Sequence, residues 1–187
     1  MPYSSYRALL KHYQTMPKDI QDYFLHLPSL LNSNLPWDVI IAYQFIQVEK
    51  AQNRTIYGGV VKIHRAHKEV VGSMLYPLHI TRASFLTLFE TIFSEPLDKN
   101  TVNKLKLAEK VRDKTVHGKG VSVSEARQAI GDVLDYAHLM NIQVDKIAGF
   151  YPFGSMKGFK GRREPLEEKT TSWLLKGLLS TALDKKK

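Results

Sequence analysis

The chain has 187 residues, which is enough for one compact domain with a sizeable core. It is 43% hydrophobic and 24% charged, a composition that excludes disorder throughout the chain. Lysine and arginine number 27 against 18 acidic residues, and the formal charge of +9 favours a polyanionic partner, most simply nucleic acid.

Cysteine does not occur, which excludes disulfides and thiolate zinc sites and favours a reducing compartment. The first residues do not form the basic and apolar regions of a signal peptide, and the apolar runs are too short to span a bilayer. We therefore expect a soluble cytoplasmic protein with no membrane partner.

The first part of the chain reads as helices separated by proline. A short helix is predicted over roughly residues 3–13, and a second has Pro17 in its first turn and ends near Pro28. A third begins around Asn34, a residue type that can cap a helix, and its apolar positions recur at helical spacing up to about Lys50.

Residues 53–74 lack a clear helical period. The adjacent glycines Gly58-Gly59 and the loose alternation after them predict a long connection or a hairpin. His64 and His67 have a spacing that a metal ion can use, but only Glu69 stands nearby as a third ligand. The preferred interpretation is therefore a solvated loop without a metal.

Helix signals return in the second half of the chain. Thr81 is the predicted N-cap of a helix that stops before Pro96, and Asp98 or Asn100 caps the next one. These signals predict two consecutive helices between residues 81 and 117.

The second of these helices should end near His117, because Gly118 can adopt the left-handed conformation that closes a helix. Ser122 and Glu125 form a capping box, in which each side chain satisfies an amide at the start of a new helix. The apolar face of that new helix predicts that it runs to about Met140.

A short motif lies at this predicted junction of two helices. It reads Arg112-Asp113-Lys114-Thr115-Val116-His117, an arginine followed by a polar residue and, after four residues, a histidine. The motif and its position resemble those of the HEPN superfamily, small all-helical domains whose catalytic members carry Arg, four to six residues, then His at the end of a long helix. The resemblance covers about residues 37–140.

The resemblance implies an all-α fold, a HEPN-like antiparallel helical bundle over residues 1–140. Residues 141–187 would then be a basic, partly irregular C-terminal extension that ends in a helix. It also implies a metal-independent endoribonuclease without cofactors, in a toxin, phage-defence or RNA-processing setting. Such enzymes pair two copies across a two-fold dimer, so we expect a homodimer with a composite active site, with an antitoxin or larger complex as a further possible partner.

The chemistry of the motif fits RNA cleavage through the 2′-hydroxyl, which leaves a 2′,3′-cyclic phosphate. His117 would be the general acid and base, because imidazole transfers protons near neutral pH. Arg112 would stabilise the phosphorane oxygens with its guanidinium, and Asp113 would orient either residue. Asparagine is commoner than aspartate at this family position, and a carboxylate would repel the phosphate unless it is held against Arg112 or a lysine.

Further cations are candidate RNA-binding residues. One lies inside the motif and one shortly after it, and four lie in a glycine- and aromatic-rich stretch of the extension, a composition suited to stacking on bases and contacting phosphates. These six residues are Lys114, Lys119, Lys157, Lys160, Arg162 and Arg163.

Other interpretations remain open. Arg7 and His12 have the same spacing as the motif, without a following polar residue or glycine, and we interpret them as a coincidence. Arg112 and His117 themselves suit an ordinary helix C-terminus, where cations interact favourably with the helix dipole. The protein would then be a non-catalytic HEPN-like module that binds RNA, a nucleotide or a partner, or a helical nucleic-acid-binding protein whose site is the extension.

Overall fold

The computed structural model of the protein describes residues 3–161 and 164–183. Over these residues the protein is all-α, with nine helices and no strand. The helices are α1 Tyr6–Thr15, α2 Lys18–Tyr23, α3 Leu27–Asn32, α4 Trp37–Lys62, α5 Lys68–Leu75, α6 Arg82–Phe93, α7 Lys99–Val116, α8 Val123–Ala148 and α9 Glu168–Leu183. None of the helices in the described ranges combines the length and the apolar character needed to cross a membrane.

The predicted N-caps of α6 and α7 are confirmed. The Thr81 hydroxyl accepts a hydrogen bond from the backbone N–H of Ser84 at 3.2 Å. The Asp98 carboxylate accepts hydrogen bonds from the N–H groups of Asn100 and Thr101 at 2.8 and 3.2 Å. Each side chain satisfies amides that have no partner inside the helix, which fixes where the helix begins.

The prediction of a connection or hairpin in residues 53–74 is wrong. α4 continues through Gly58-Gly59 to Lys62, and α5 follows after a short linker. A Cβ atom on Gly58 would lie 2.4 Å from the Phe150 ring, and one on Gly59 would lie 2.5 Å from Ile92. The glycines are therefore packing positions within a helix, where neighbouring side chains approach the backbone closely.

Three other helix bounds differ from the predictions. The first helix begins at Tyr6 after a Ser5 cap, and Pro28 lies in the first turn of α3 instead of ending the second helix. α8 continues beyond Met140 to Ala148, because its buried face extends along the helix through further apolar residues. The domain boundary predicted at residue 140 thus lies inside α8.

The chain forms two compact units. The first comprises the described residues up to Val48, together with Asp98–Ile142 and Phe153–Ser155. The second comprises Glu49–Leu97, Gln143–Pro152 and the described residues from Met156 onward. Both units draw on separate stretches of the chain, so each depends on contacts between residues far apart in sequence.

The core of the first unit centres on Phe153. The Phe153 ring is fully buried and contacts the rings of Tyr23, Phe24 and Tyr136, with centroids 5.2 to 5.9 Å away. Its backbone N–H and C=O both bond to the Asn141 side chain, at 2.9 and 3.0 Å. A buried amide side chain thus pairs the backbone of a segment that belongs to no helix, as buried polar groups require.

Candidate active site

The end of α7 is closed by a glycine. Gly118 has a φ of +66°, and its N–H donates to the carbonyl of Thr115 at 3.1 Å. The N–H of Lys119 donates to the carbonyl of Lys114 at 2.8 Å. This pair of bonds is the Schellman motif, and it confirms the predicted helix end, with His117 as the C-cap residue.

The start of α8 is the predicted capping box. The Ser122 hydroxyl accepts from the N–H of Glu125 at 3.2 Å, and the Glu125 carboxylate accepts from the N–H of Ser122 at 2.9 Å. Lys114 bonds the same carboxylate at 2.7 Å. Hydrogen bonds from Lys114 and from Ser122 lower the pKa of Glu125 to about 2. The last turn of α7 and the first turn of α8 are thus held together by one ionised carboxylate.

Arg112 is held in a fixed orientation on two sides. Its guanidinium carbon lies 4.7 Å from the centroid of the buried Phe45 ring. Its Nε and Nη2 donate to one oxygen of Asp113, at 3.1 and 2.8 Å. The Asp113 carboxylate is therefore held against Arg112, the condition under which it would repel a phosphate least. No bond to Nη1 occurs within the described residues, so that edge of the guanidinium has no acceptor in this part of the chain.

His117 is exposed, and its imidazole makes no hydrogen bond to any described residue. Only its backbone is fixed, through the N–H that donates to the carbonyl of Asp113 at 3.1 Å. Five residues correspond to about 140° around a helix axis, so Arg112 and His117 leave α7 in different directions. One copy of the chain therefore supplies a fixed guanidinium and a free imidazole at the same helix end, without a bond between them.

The other predicted RNA-binding residues are divided between the two units. Lys114 is paired with Glu125, while the Lys119 side chain is exposed and has no partner among the described residues. Lys157 and Lys160 are exposed residues of the second unit. Arg162 and Arg163 lie outside the described residues. No contact joins the candidates of the first unit into a larger cationic cluster, so their role in binding RNA stays a prediction.

The two histidines considered for a metal differ in their surroundings, and Nδ1 of His67 is buried without a hydrogen-bond partner among the described residues. His64 Nε2 bonds the carbonyl of Ile92 at 2.8 Å, and His67 Nδ1 lies 3.2 Å from a carboxylate oxygen of Glu69. Within residues 3–161 and 164–183, no group of three histidine, aspartate or glutamate side chains is placed to hold a metal ion.

Sequence reasoning missed a polar cluster in the first unit, which we call the Tyr3 cluster. His12 Nε2 lies 2.8 Å from Asp135 and 3.1 Å from the Tyr3 hydroxyl. Lys104 bridges Asp135 at 2.8 Å and Asp132 at 3.0 Å. The cluster thus brings together residues from the start of the chain, α1, α7 and α8. No signal in the sequence joins them, because His12 and Asp135 lie 123 positions apart.

Burial and charge act together in this cluster. Burial raises the pKa of Tyr3, and the neighbouring charge of Asp135 raises it further. Burial also acts to raise the pKa of Asp135, but hydrogen bonds from His12 and Lys104 outweigh it and lower that pKa. The cluster therefore holds Asp135 ionised and Tyr3 neutral.

Phe45, whose ring packs against the Arg112 guanidinium, was also not predicted from the sequence. It is one apolar position among many on α4 and stands 67 residues before Arg112 in the chain.

Comparisons of the whole chain with protein-family models, with curated proteins and with solved structures gave no match.

Proposed function

We propose that the protein is a metal-independent endoribonuclease of HEPN type that acts as a homodimer. The proposal includes a HEPN-like antiparallel arrangement of the helices around the junction of α7 and α8. The observation that carries it is the contrast at that junction. The guanidinium of Arg112 is fixed by Phe45 and Asp113. Five residues later, at the same helix end, the imidazole of His117 is exposed and has no partner among the described residues.

The cleavage step needs one proton acceptor and one proton donor. A neutral His117 takes the proton of the ribose 2′-hydroxyl, and the 2′-oxygen attacks the phosphorus. The bond from phosphorus to the 5′-oxygen breaks, and a protonated His117 of the second copy gives its proton to that oxygen. Arg112 stabilises the charge that develops on the phosphorane oxygens. The products are a 2′,3′-cyclic phosphate and a 5′-hydroxyl end.

The proposal places the dimer interface beside the junction. Val116 is the last residue of α7 and Val123 is the first residue of α8, and the two residues are 72% and 48% exposed. Single exposed apolar side chains also occur on monomers, so the valines mark where a second copy is placed in this proposal, and the dimer itself rests on the resemblance. A second copy placed here would cover the valines and bring a second His117 to the same cleft. It would also supply the convergence of arginine and histidine that a single helix end lacks.

The pairing of Arg112 with Asp113 favours one alternative, a HEPN-like RNA-binding module without catalysis. Two N–H groups of the guanidinium are taken by the carboxylate, and the negative charge lowers the attraction for phosphate. In this alternative Lys119 and the cations of the extension hold RNA, and His117 is a surface residue. The toxin, phage-defence or RNA-processing setting rests on the resemblance alone.

Cleavage of end-labelled RNA in EDTA tests the proposal. We expect the parent protein to leave cyclic phosphate ends, and His117→Ala to cleave at least about 100-fold more slowly. His79→Ala is the matched control, because His79 is also exposed and lies in the second unit. Intact RNA with the parent, or equal cleavage by His117→Ala, would overturn the proposal. Retained RNA binding by a protein that does not cleave would establish the alternative.

A further inference from the structure

The second unit contains a pocket of about 330 Å³ that the ribonuclease proposal does not use. Its walls come from the end of α4, the linker before α5, the first turn of α5, residues 159–161 and Pro165. Its size is at the lower end for small-molecule sites, which suits a ligand of the size of a mononucleotide.

The walls are tied together by bonds between distant segments. Arg65, in the linker, has a φ of +59° and donates from Nε to the carbonyl of Glu164 at 2.8 Å. The N–H of Leu166 donates to the carbonyl of Arg65 at 2.7 Å. The N–H of His67 donates to the Thr171 hydroxyl at 3.0 Å. A residue other than glycine stays at positive φ only when its surroundings hold it there, and these bonds hold the linker against the segment that contains Glu164 and Leu166.

Two aromatic rings line the pocket. The centroids of Tyr57 and Phe159 lie 6.0 Å apart, and both side chains are half-buried. Phe159 is supported from behind by Phe150, with centroids 5.5 Å apart, and by the Lys62 ammonium at 5.5 Å. The planes of Tyr57 and Phe159 are inclined by 48°, so each ring separately offers a face on which a planar heterocycle can stack.

Three cations line the pocket with the aromatic rings, namely Arg65, Lys68 and Lys160, and Glu69 is the only acid among the described residues that line it. The Lys160 ammonium and the terminal guanidinium nitrogens of Arg65 have no partner among the described residues. The pocket therefore combines a ring surface with an excess of positive charge, as recognition of a base and its phosphate requires.

The first turn of α5 adds a site for an anion. His67, the N-cap of α5, makes no side-chain cap, so the first amides of the helix have no such partner. Glu69 places its carboxylate here, and its pKa is lowered mainly by the hydrogen bond from its own backbone N–H. A side-chain carboxylate already occupies the place where the helix end and Lys68 stabilise negative charge. A phosphate group that displaces the Glu69 carboxylate would contact Lys68, whose ammonium lies 3.4 Å from that carboxylate.

We infer that this pocket binds a nucleotide, with the base against Tyr57 and Phe159 and the phosphate among Arg65, Lys68 and Lys160. The ligand is either a free mononucleotide or one unit of a single-stranded RNA, which share this chemistry. The site lies in a different unit from the junction and does not depend on cleavage.

A neighbouring pocket of about 350 Å³ distinguishes a free mononucleotide from an RNA strand as the ligand. Tyr57 lines both pockets, and the second is also lined by Arg54, by Met156 and by Tyr76, whose side chain is almost fully exposed. The exposed ring of Tyr76 offers a second stacking position, in a pocket that shares Tyr57 with the first. An RNA strand would occupy both pockets, whereas a free mononucleotide would occupy one.

Calorimetric titration of the full chain carrying His117→Ala tests the inference without consuming a substrate. The probes are AMP, GMP, CMP and UMP, with inorganic phosphate as the anion alone, adenosine as the ring alone, and the dinucleotide ApA with a 5′-phosphate. We expect at least one mononucleotide to bind at least ten-fold more tightly than phosphate or adenosine. Tighter binding of the dinucleotide than of AMP would identify an RNA strand as the ligand, and equal binding a free nucleotide.

Two variants locate the binding. Lys160→Ala and Phe159→Leu should each weaken nucleotide binding at least five-fold, whereas Lys176→Ala, an exposed cation of the same unit outside the pocket, should not change it. The inference is overturned if no nucleotide binds at millimolar concentration, if phosphate binds as tightly as the nucleotides, or if Lys160→Ala and Lys176→Ala behave alike. Because the readout is binding by a variant that should not cleave, failure of the ribonuclease proposal leaves it intact.

Discussion

Two segments of the first unit carry an arginine and a histidine at the same spacing, and the structure treats them in opposite ways. In α1, Arg7 is exposed, while His12 is bonded to Asp135 at 2.8 Å and to Tyr3 at 3.1 Å. In α7, it is the arginine that is packed and bonded, and His117 is exposed. The difference shows that the bonding partners of a histidine decide whether it is available for catalysis. A ring nitrogen that is already bonded to a carboxylate stabilises the fold and is not free to exchange a proton with a substrate.

Replacing each of the two arginines should give the largest difference in cleavage rate between the two segments. Arg112→Ala removes the fixed guanidinium, and we expect the rate of RNA cleavage to fall about 100-fold or more. Arg7→Ala should leave the rate unchanged, because that side chain is exposed and the histidine at the same spacing is bonded to Asp135. Single-turnover cleavage assays on both variants measure the difference. Equal losses would mean that the spacing, and not the environment, marks the site.

The structural role of the Tyr3 cluster can be tested through Lys104. Lys104→Met leaves the buried carboxylate of Asp132 without its cation, and we expect the free energy of unfolding to fall by about 2 kcal/mol. The expected loss of stability is smaller than for a fully buried ion pair, because 28% of the Lys104 side chain is exposed. Urea denaturation measures the change, with Lys106→Met as the exposed control on the same helix. Similar stability of the two variants would contradict the structural role.

The pH dependence of stability should also distinguish the cluster. The raised pKa of Tyr3 means that its contribution is complete below its ordinary pKa of about 10 and is lost as pH rises further. The lowered pKa of Asp135 means that its contribution is present above about pH 4 and is lost as pH falls. Tyr3→Phe should cost about 1 kcal/mol at pH 7 and flatten the alkaline loss.

Urea unfolding at pH 7 and above pH 10 checks this prediction. The parent should lose stability between the two conditions, and Tyr3→Phe should lose less. An alkaline loss of the same size in both proteins would show that a different group is responsible.

Asp113 should have the smallest effect. In Asp113→Asn the amide oxygen can still accept the hydrogen bonds of Arg112, while the negative charge is gone. We expect RNA cleavage to rise about threefold, the size of an exposed charge effect. The matched control is Glu109→Gln, which removes a charge one turn earlier on α7. A tenfold loss of cleavage in Asp113→Asn would instead make the carboxylate part of the reaction.

Local signals in the sequence predicted the junction well. The Schellman glycine, the capping box and the caps of α6 and α7 all depend on side chains within a few residues of the amides they satisfy. Contacts between distant residues were not predictable. Gly58-Gly59 reads as a break until Phe150 and Ile92 are known to pack there. Likewise, His12 reads as a surface residue of α1 until Asp135 is placed beside it.

The same distinction bears on the order in which the protein folds. The backbone and capping bonds of the junction join residues at most 11 positions apart, so they close small loops and can form early. The bond between His12 and Asp135 joins residues 123 positions apart, so it can form only after α8 has been synthesised. During translation α1 leaves the ribosome long before α8. We therefore expect α1 to stay undocked on the nascent chain until α8 has emerged, when the helix pair that carries His117 is already able to form.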